Sequence, residues 1–163
     1  MSIDMVTIDS ILLEHTAIQH NVDILYDAVA AQATFLLHSA NNWDKTHLKE
    51  LRDNYLQLRD TMQAFYESIK GHCAREEAAM SPVLGDLLNR GNAIEHKEIL
   101  GHLDRARALL GKTKLLGDLR PQELMATTQQ VAQTIELACD LVSLHEANEA
   151  GLFGLLKKAL NAD

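Results

Sequence analysis

The stretch HCAREEAAM, residues 72–80, decides how this chain is read. It lies inside the longest periodic pattern of the sequence, in which Leu48, Leu51, Tyr55, Leu58, Met62, Phe65, Ile69, His72, Glu76, Met80, Val83 and Leu87 recur at steps of three and four. That period is the seam of an α-helix facing other helices. Two of its members, His72 and Glu76, stand where the pattern asks for Leu or Ile. An unpaired buried carboxylate costs several kcal/mol even after relaxation. If the seam is real, something in the core must compensate Glu76.

Working outward, three further patterns have the same period. The first runs from about Thr7 to His38, with Ile8, Ile11, Leu12, His15, Ile18, Val22, Leu25 and Val29 in phase. HSANNWD breaks it, and Asp44 or Thr46 can cap the long second helix. Within that helix Pro82 removes one backbone donor and predicts a kink near Ser81, and NRGN, with Gly91 suited to the residue after a helix, predicts its end. Asn92 to Glu95 reads as a loose capping box opening a third helix whose seam is His96, Ile99, Leu100, Leu103, Ala106 and Leu110. The pattern fades in LGKTKLLGDL. Pro121 fits the first turn of a fourth helix carrying Leu124, Thr128, Val131, Ile135, Ala138, Val142, His145, Glu149, Leu152 and Leu156. Residues 1–163 are therefore expected to form one all-α domain, an antiparallel four-helix bundle.

Composition narrows the function. A formal charge of −8 argues against nucleic acid, whose phosphates require a basic surface. Cys73 and Cys139 form no CxxC, so neither a disulfide framework nor a thiolate zinc site is expected. MSIDMVTIDS has no basic region of the kind that opens a secretory signal, and no apolar run is long enough to span a bilayer. The expectation is a soluble, cytoplasmic protein with no membrane partner.

Read together, the four seams repeat one anomaly: His15, His72, Glu76, His96, His145 and Glu149 all occupy apolar places. Residues at i and i+4 point the same way from a helix. His72 with Glu76, and His145 with Glu149, can each offer a nitrogen and an oxygen to one point in the bundle. The sequence also repeats itself, since ILLEHTAI around His15 resembles NAIEHKEI around His96, and HCAREEA resembles HEANEAG. A single histidine on an apolar face is more often a hydrogen-bonded core residue, and one HxxxE is commonplace on solvated faces. Four histidines and two glutamates, with no Lys or Arg on any seam to neutralise them, are better explained as metal ligands. Imidazole and carboxylate without thiolate suit iron or manganese, with zinc as a further candidate.

These residues resemble the hemerythrin-like, or HHE cation-binding, proteins, in the bacterial form with two HxxxE motifs. The resemblance rests on His15, HCARE at 72–76, Glu95–His96 and HEANE at 145–149, and it covers essentially the whole chain. It implies an up-down-up-down bundle around two iron ions in an oxo- or hydroxo-bridged di-iron centre. Glu76 and Glu149 would bridge the irons, His15 and His72 would complete one, and His96 and His145 the other. The chain departs from the oxygen carriers of the family, which have a histidine four residues after the third-helix ligand; here that place is Leu100. They also end with an aspartate at the place of Ala150. Each metal is thus left with four protein donors unless His20, His102, Tyr26 or Tyr55 adds one.

Other residues have plainer expectations. Glu77 reads as a bystander or a reserve bridge, and Glu14 and Glu95 as surface groups or supports for the neighbouring histidines. Cys73 reads as a half-buried thiol, Trp43 as a cap on the bundle end, and Glu146 as a residue whose replacement leaves the metal in place. The resemblance implies a small-ligand protein that binds dioxygen, peroxide or nitric oxide as sensor, store or scavenger. The alternatives are a di-iron enzyme consuming peroxide or nitric oxide, and an iron storage or delivery protein. A ferritin-like site is excluded because no glutamate here is followed by histidine at the third place, and a haem pocket would have no use for Glu76 and Glu149.

Overall fold

The computed structural model describes residues 5–39, 44–112 and 120–161. Helix α1 spans Met5–Ser39, α2 spans Lys45–Lys112 with a break in its middle, and α3 spans Pro121–Leu160. The break is at Gly85, whose φ of 69° and ψ of 166° lie in a region open essentially to glycine alone. It divides α2 into a first arm, 45–84, and a second arm, 86–112. Counted so, the described residues form four helices and contain no strand.

Cross-helix pairs give the directions. Asp9 meets Lys157 and Tyr26 bonds Asp140, so α1 and α3 run antiparallel. Arg75 bonds Glu14 and His47 stacks near Phe35, which sets the first arm of α2 antiparallel to α1. Arg107 to Gln63 and His96 to Glu77 fold the second arm back along the first. The result is the expected antiparallel four-helix bundle. Among the described residues no helix is long and apolar enough to cross a membrane.

Local sequence explains the helix ends. Asp44 caps α2, its Oδ1 accepting from the N–H groups of Thr46 at 2.8 Å and His47 at 2.9 Å. Glu123 reaches back to the N–H of Arg120 at 2.9 Å ahead of Pro121, which needs no donor there. The middle of α2 corrects the sequence reading. Pro82 lies within the helix, NRGN does not end it, and Gly91 and Asn92 are helical. A helix tolerates the loss of one N–H more readily than the backbone at Gly85 tolerates a Cβ, so the turn falls at the glycine. Beyond it the phase of the seam changes, leaving Leu87 exposed at 83 %. Asn89 donates to the carbonyl of Ser81 at 2.9 Å, spanning the break. Trp43 lies outside the described residues.

The core is divided in two. A large apolar cluster includes Val22, Leu25, Leu51, Met62, Leu103, Ile135 and Val142. A small one, Ile8, Ile11, Met80 and Phe153, lies toward the Gly85 end. Between them runs a layer of buried polar residues.

Candidate metal centre

The layer is made of the six residues that the seams single out. His15 from α1, His72 and Glu76 from the first arm of α2, His96 from its second arm, and His145 and Glu149 from α3 are all buried. They form two groups of four. In one, donor atoms of His15, His72, Glu76 and Glu149 lie within 4.8 Å of one another; in the other, those of Glu76, His96, His145 and Glu149 do so. Both carboxylates belong to both groups. The helical geometry explains the convergence, because each HxxxE pair projects from one face and the antiparallel arms bring the two faces together.

Every imidazole aims Nε2 inward. His72 Nε2 is 3.5 Å and His96 Nε2 3.3 Å from Glu76 Oε2. His15 Nε2 is 3.3 Å from Glu149 Oε2, and His145 Nε2 is 3.2 Å from Glu149 Oε1. The Nε2 atoms of His96 and His145 are 3.0 Å apart. Three of the four rings are held from outside by a carboxylate at Nδ1: Glu14 on His72 at 2.8 Å, Glu77 on His96 at 2.8 Å and Glu95 on His145 at 2.9 Å. A carboxylate accepts only, so each of these nitrogens carries a proton, and Nε2 is the atom that each ring can give to a metal ion. Carboxylates behind histidines in this way orient them and raise their basicity as ligands. Glu14 is itself fixed by Arg75, which donates to Oε1 at 3.0 Å and to Oε2 at 2.9 Å. Asn92 donates to Glu76 Oε1 at 3.1 Å.

Burial and mutual contact move the groups of the layer in opposite directions. Burial pushes the Glu76 carboxyl above its ordinary range, and the nearby Glu149 adds to this. Burial acts on Glu149 in the same sense, but His145 and His15 outweigh it and hold that carboxyl well below its ordinary value. Two carboxylates this close cannot both stay charged without a positive partner. Burial lowers the proton affinity of His72, whereas for His145 the bond with Glu149 overcomes burial and raises it. His15 Nε2, His72 Nε2, Glu76 Oε2 and Glu149 Oε2 are buried and have no hydrogen-bond partner. Buried polar atoms are rarely left so, and four aimed at one space fit a bound metal ion. The donor set, four imidazoles and two carboxylates, can hold one at each group.

The residues around the layer refine the sequence reading. Glu77 is neither bystander nor bridge, since it holds His96; Glu14 and Glu95 take the supporting role. Of the proposed extra donors, His20 is exposed and neither it nor His102 joins a donor group. Tyr55 bonds Thr128 at 3.2 Å and Tyr26 bonds Asp140. Leu100 packs half-buried against the large apolar cluster. Cys73 is more deeply buried than expected, at 4 % exposure. Glu146 corrects the face assignment, being buried at 7 % with Oε1 unpartnered. Helix α3 packs against both α1 and α2, so its buried arc is wide enough to include positions 145, 146 and 149 together. A one-step neighbour of a seam residue carries no periodic signal, which is why the pattern missed it. A cavity of 270 Å³ lined by Leu84, Gly91, Asn92, Asn148, Glu149 and Leu152 reaches the layer from outside.

No family model, curated protein or solved structure matches this chain.

Proposed function

We propose that this protein is a hemerythrin-like di-iron protein of the cytoplasm that binds dioxygen, peroxide or nitric oxide as a sensor, store or scavenger. The observation that carries the reading is the pair of four-donor groups sharing Glu76 and Glu149. His15 and His72 would complete one ion, and His96 and His145 the other. Iron ranks ahead of manganese and zinc because imidazole–carboxylate sets without thiolate suit it and because of the resemblance in the HxxxE motifs. Iron bound here supplies open coordination positions and redox chemistry toward small oxygen or nitrogen ligands.

The chain's own residues do the rest. Glu14, Glu77 and Glu95 keep their histidines in the Nδ1–H form, and Asn92 fixes one oxygen of Glu76. Ile8, Ile11, Met80 and Phe153 close the layer against bulk water on one side. The cavity beside Glu149 admits a small ligand. Four protein donors per metal, with Leu100 offering none, also favour a second reading: an enzyme that consumes peroxide or nitric oxide at the same positions.

Metal analysis of the purified protein tests the proposal. Two irons per chain are expected, with a near-ultraviolet spectrum that changes when oxygen is admitted. One zinc per chain, or full stability with no metal, would overturn it. Glu149→Ala is expected to lose both ions. Peroxide consumption by the loaded protein separates the enzyme from the carrier.

A further inference from the structure

Three histidines of the layer have a carboxylate at Nδ1, and the fourth does not. Both ring nitrogens of His15 are buried without a hydrogen-bond partner. On α3, Glu146 is buried with Oε1 unpartnered, one turn before Glu149, whose Oε2 lies 3.3 Å from His15 Nε2. Two orphaned polar groups in one buried region, a donor ring and an acceptor, are an unusual pair to leave apart.

The internal repeat explains their placement. In the first half Glu77, five residues after His72, crosses to hold His96. The same place after His145 is Ala150, which offers no acceptor. One turn earlier on the same face, the first half has Cys73 and the second half has Glu146. The carboxylate missing at 150 is present at 146. Each half thus carries a glutamate within reach of the EH histidine of the other half: Glu77 bonds His96, and Glu146 stands one turn before Glu149, which meets His15.

We infer that Glu146 is the positioning residue for His15. It accepts the Nδ1 proton of that ring and turns Nε2 toward the first donor group, where Glu149 Oε2 already lies 3.3 Å away. The bond is not closed in this structure; engagement of Nε2 by a cation fixes the ring and leaves Nδ1–H to Glu146. This makes the support of the two groups complete, four histidines with four carboxylates, and it reverses the expectation that Glu146 can be replaced without effect. The inference rests on the proposed role of His15 as a ligand.

Anaerobic titration with ferrous iron against a competing chelator tests it, on the full chain and its variants. Glu149→Ala should lose both equivalents. Glu146→Ala should weaken one equivalent by about 10- to 100-fold and spare the other, and Glu146→Gln, whose amide oxygen still accepts, should restore most of the loss. Unchanged affinity in Glu146→Ala, or an equal fall of both equivalents, overturns the inference. Should the alanine variant not fold, Glu146→Met, of similar length without an acceptor, takes its place. A wild-type protein that binds no iron overturns the proposed function. Because the pair closes only when a cation holds Nε2, that result overturns this inference as well.

Discussion

Replacing Glu76 by Gln should have opposite effects on the metal-free and the metal-loaded protein. Glu76 is buried, its pKa is raised by that burial, and one of its oxygens has no partner. A carboxyl whose folded-state pKa is raised contributes stability below the ordinary carboxylate range and loses it as pH rises through the folded value. Near neutral pH the neutral amide is therefore the better tenant of this place, and it keeps the bond from Asn92. Metal-free Glu76→Gln should melt above metal-free wild type, with the gap closing as the solution is made acidic. With metal the order should invert, because Glu76 belongs to both donor groups. A ligand at 100 times its Kd stabilises by about 2.7 kcal/mol per site, so two sites give about 5 kcal/mol. For a chain of this size each kcal/mol moves the melting temperature by roughly 2–4 °C, so the metal-induced rise in wild type should be roughly 10–20 °C. Calorimetry of both proteins with and without ferrous iron reads both effects. A rise in Glu76→Gln as large as in wild type would refute the shared-carboxylate arrangement, and a metal-free variant less stable than wild type at neutral pH would refute the electrostatic argument.

Other expectations follow from single contacts. Gly85→Ala places a Cβ in open space but keeps a backbone closed to L-residues, so denaturant unfolding should show a loss of about 1–3 kcal/mol; an unchanged midpoint would mean that the turn sits elsewhere. Asn92→Ala removes the donor to Glu76 Oε1 and should lower iron affinity by about 10-fold, with chelator competition as the measure and unchanged affinity as the contrary result. The N–H of His47, opposed by some desolvation and aided by the N–H of Thr46, holds the Asp44 carboxyl below its ordinary 3.8. A lowered carboxyl contributes stability that is present above that value and fades as pH falls through the lower folded one. Asp44→Asn keeps an acceptor at the cap and should flatten that part of the acid decline in urea midpoints; a decline as steep as in wild type would remove Asp44 from its cause.

The period of three and four is enough to find the bundle, since burial at Leu51, Met62, Ile99, Val131 and Ile135 follows it. It failed where a helix changes phase. The turn at Gly85 is set by a backbone conformation, and the neighbouring Pro82, which advertises a break, lies inside the helix. The six central residues were legible because polar side chains on an apolar seam contradict their surroundings. The supports were legible only in part: Glu14 and Glu95 were candidates, but Glu77 and Asn92 sit on partly solvated positions, where polar residues are ordinary, and only the folded distances show which group each one holds. Glu146 escaped for a related reason, because the width of a buried arc depends on how many neighbours a helix has.

The polar layer also partitions the bundle mechanically. On one side lies a cluster drawn from every helix; on the other, four side chains, Ile8, Ile11, Met80 and Phe153, close the end beside Gly85. Such a small lid has little apolar area of its own, and it rests on histidines and glutamates that repel or attract according to what lies between them. The end beside Gly85 should therefore open by local fluctuation well before the opposite end, with amide exchange fast at 8–11 and 153–156 and slow around 22–29 and 131–138. A metal ion held in the layer would tie α1, both arms of α2 and α3 together beneath that lid, so the same amides should exchange more slowly once ferrous iron is bound.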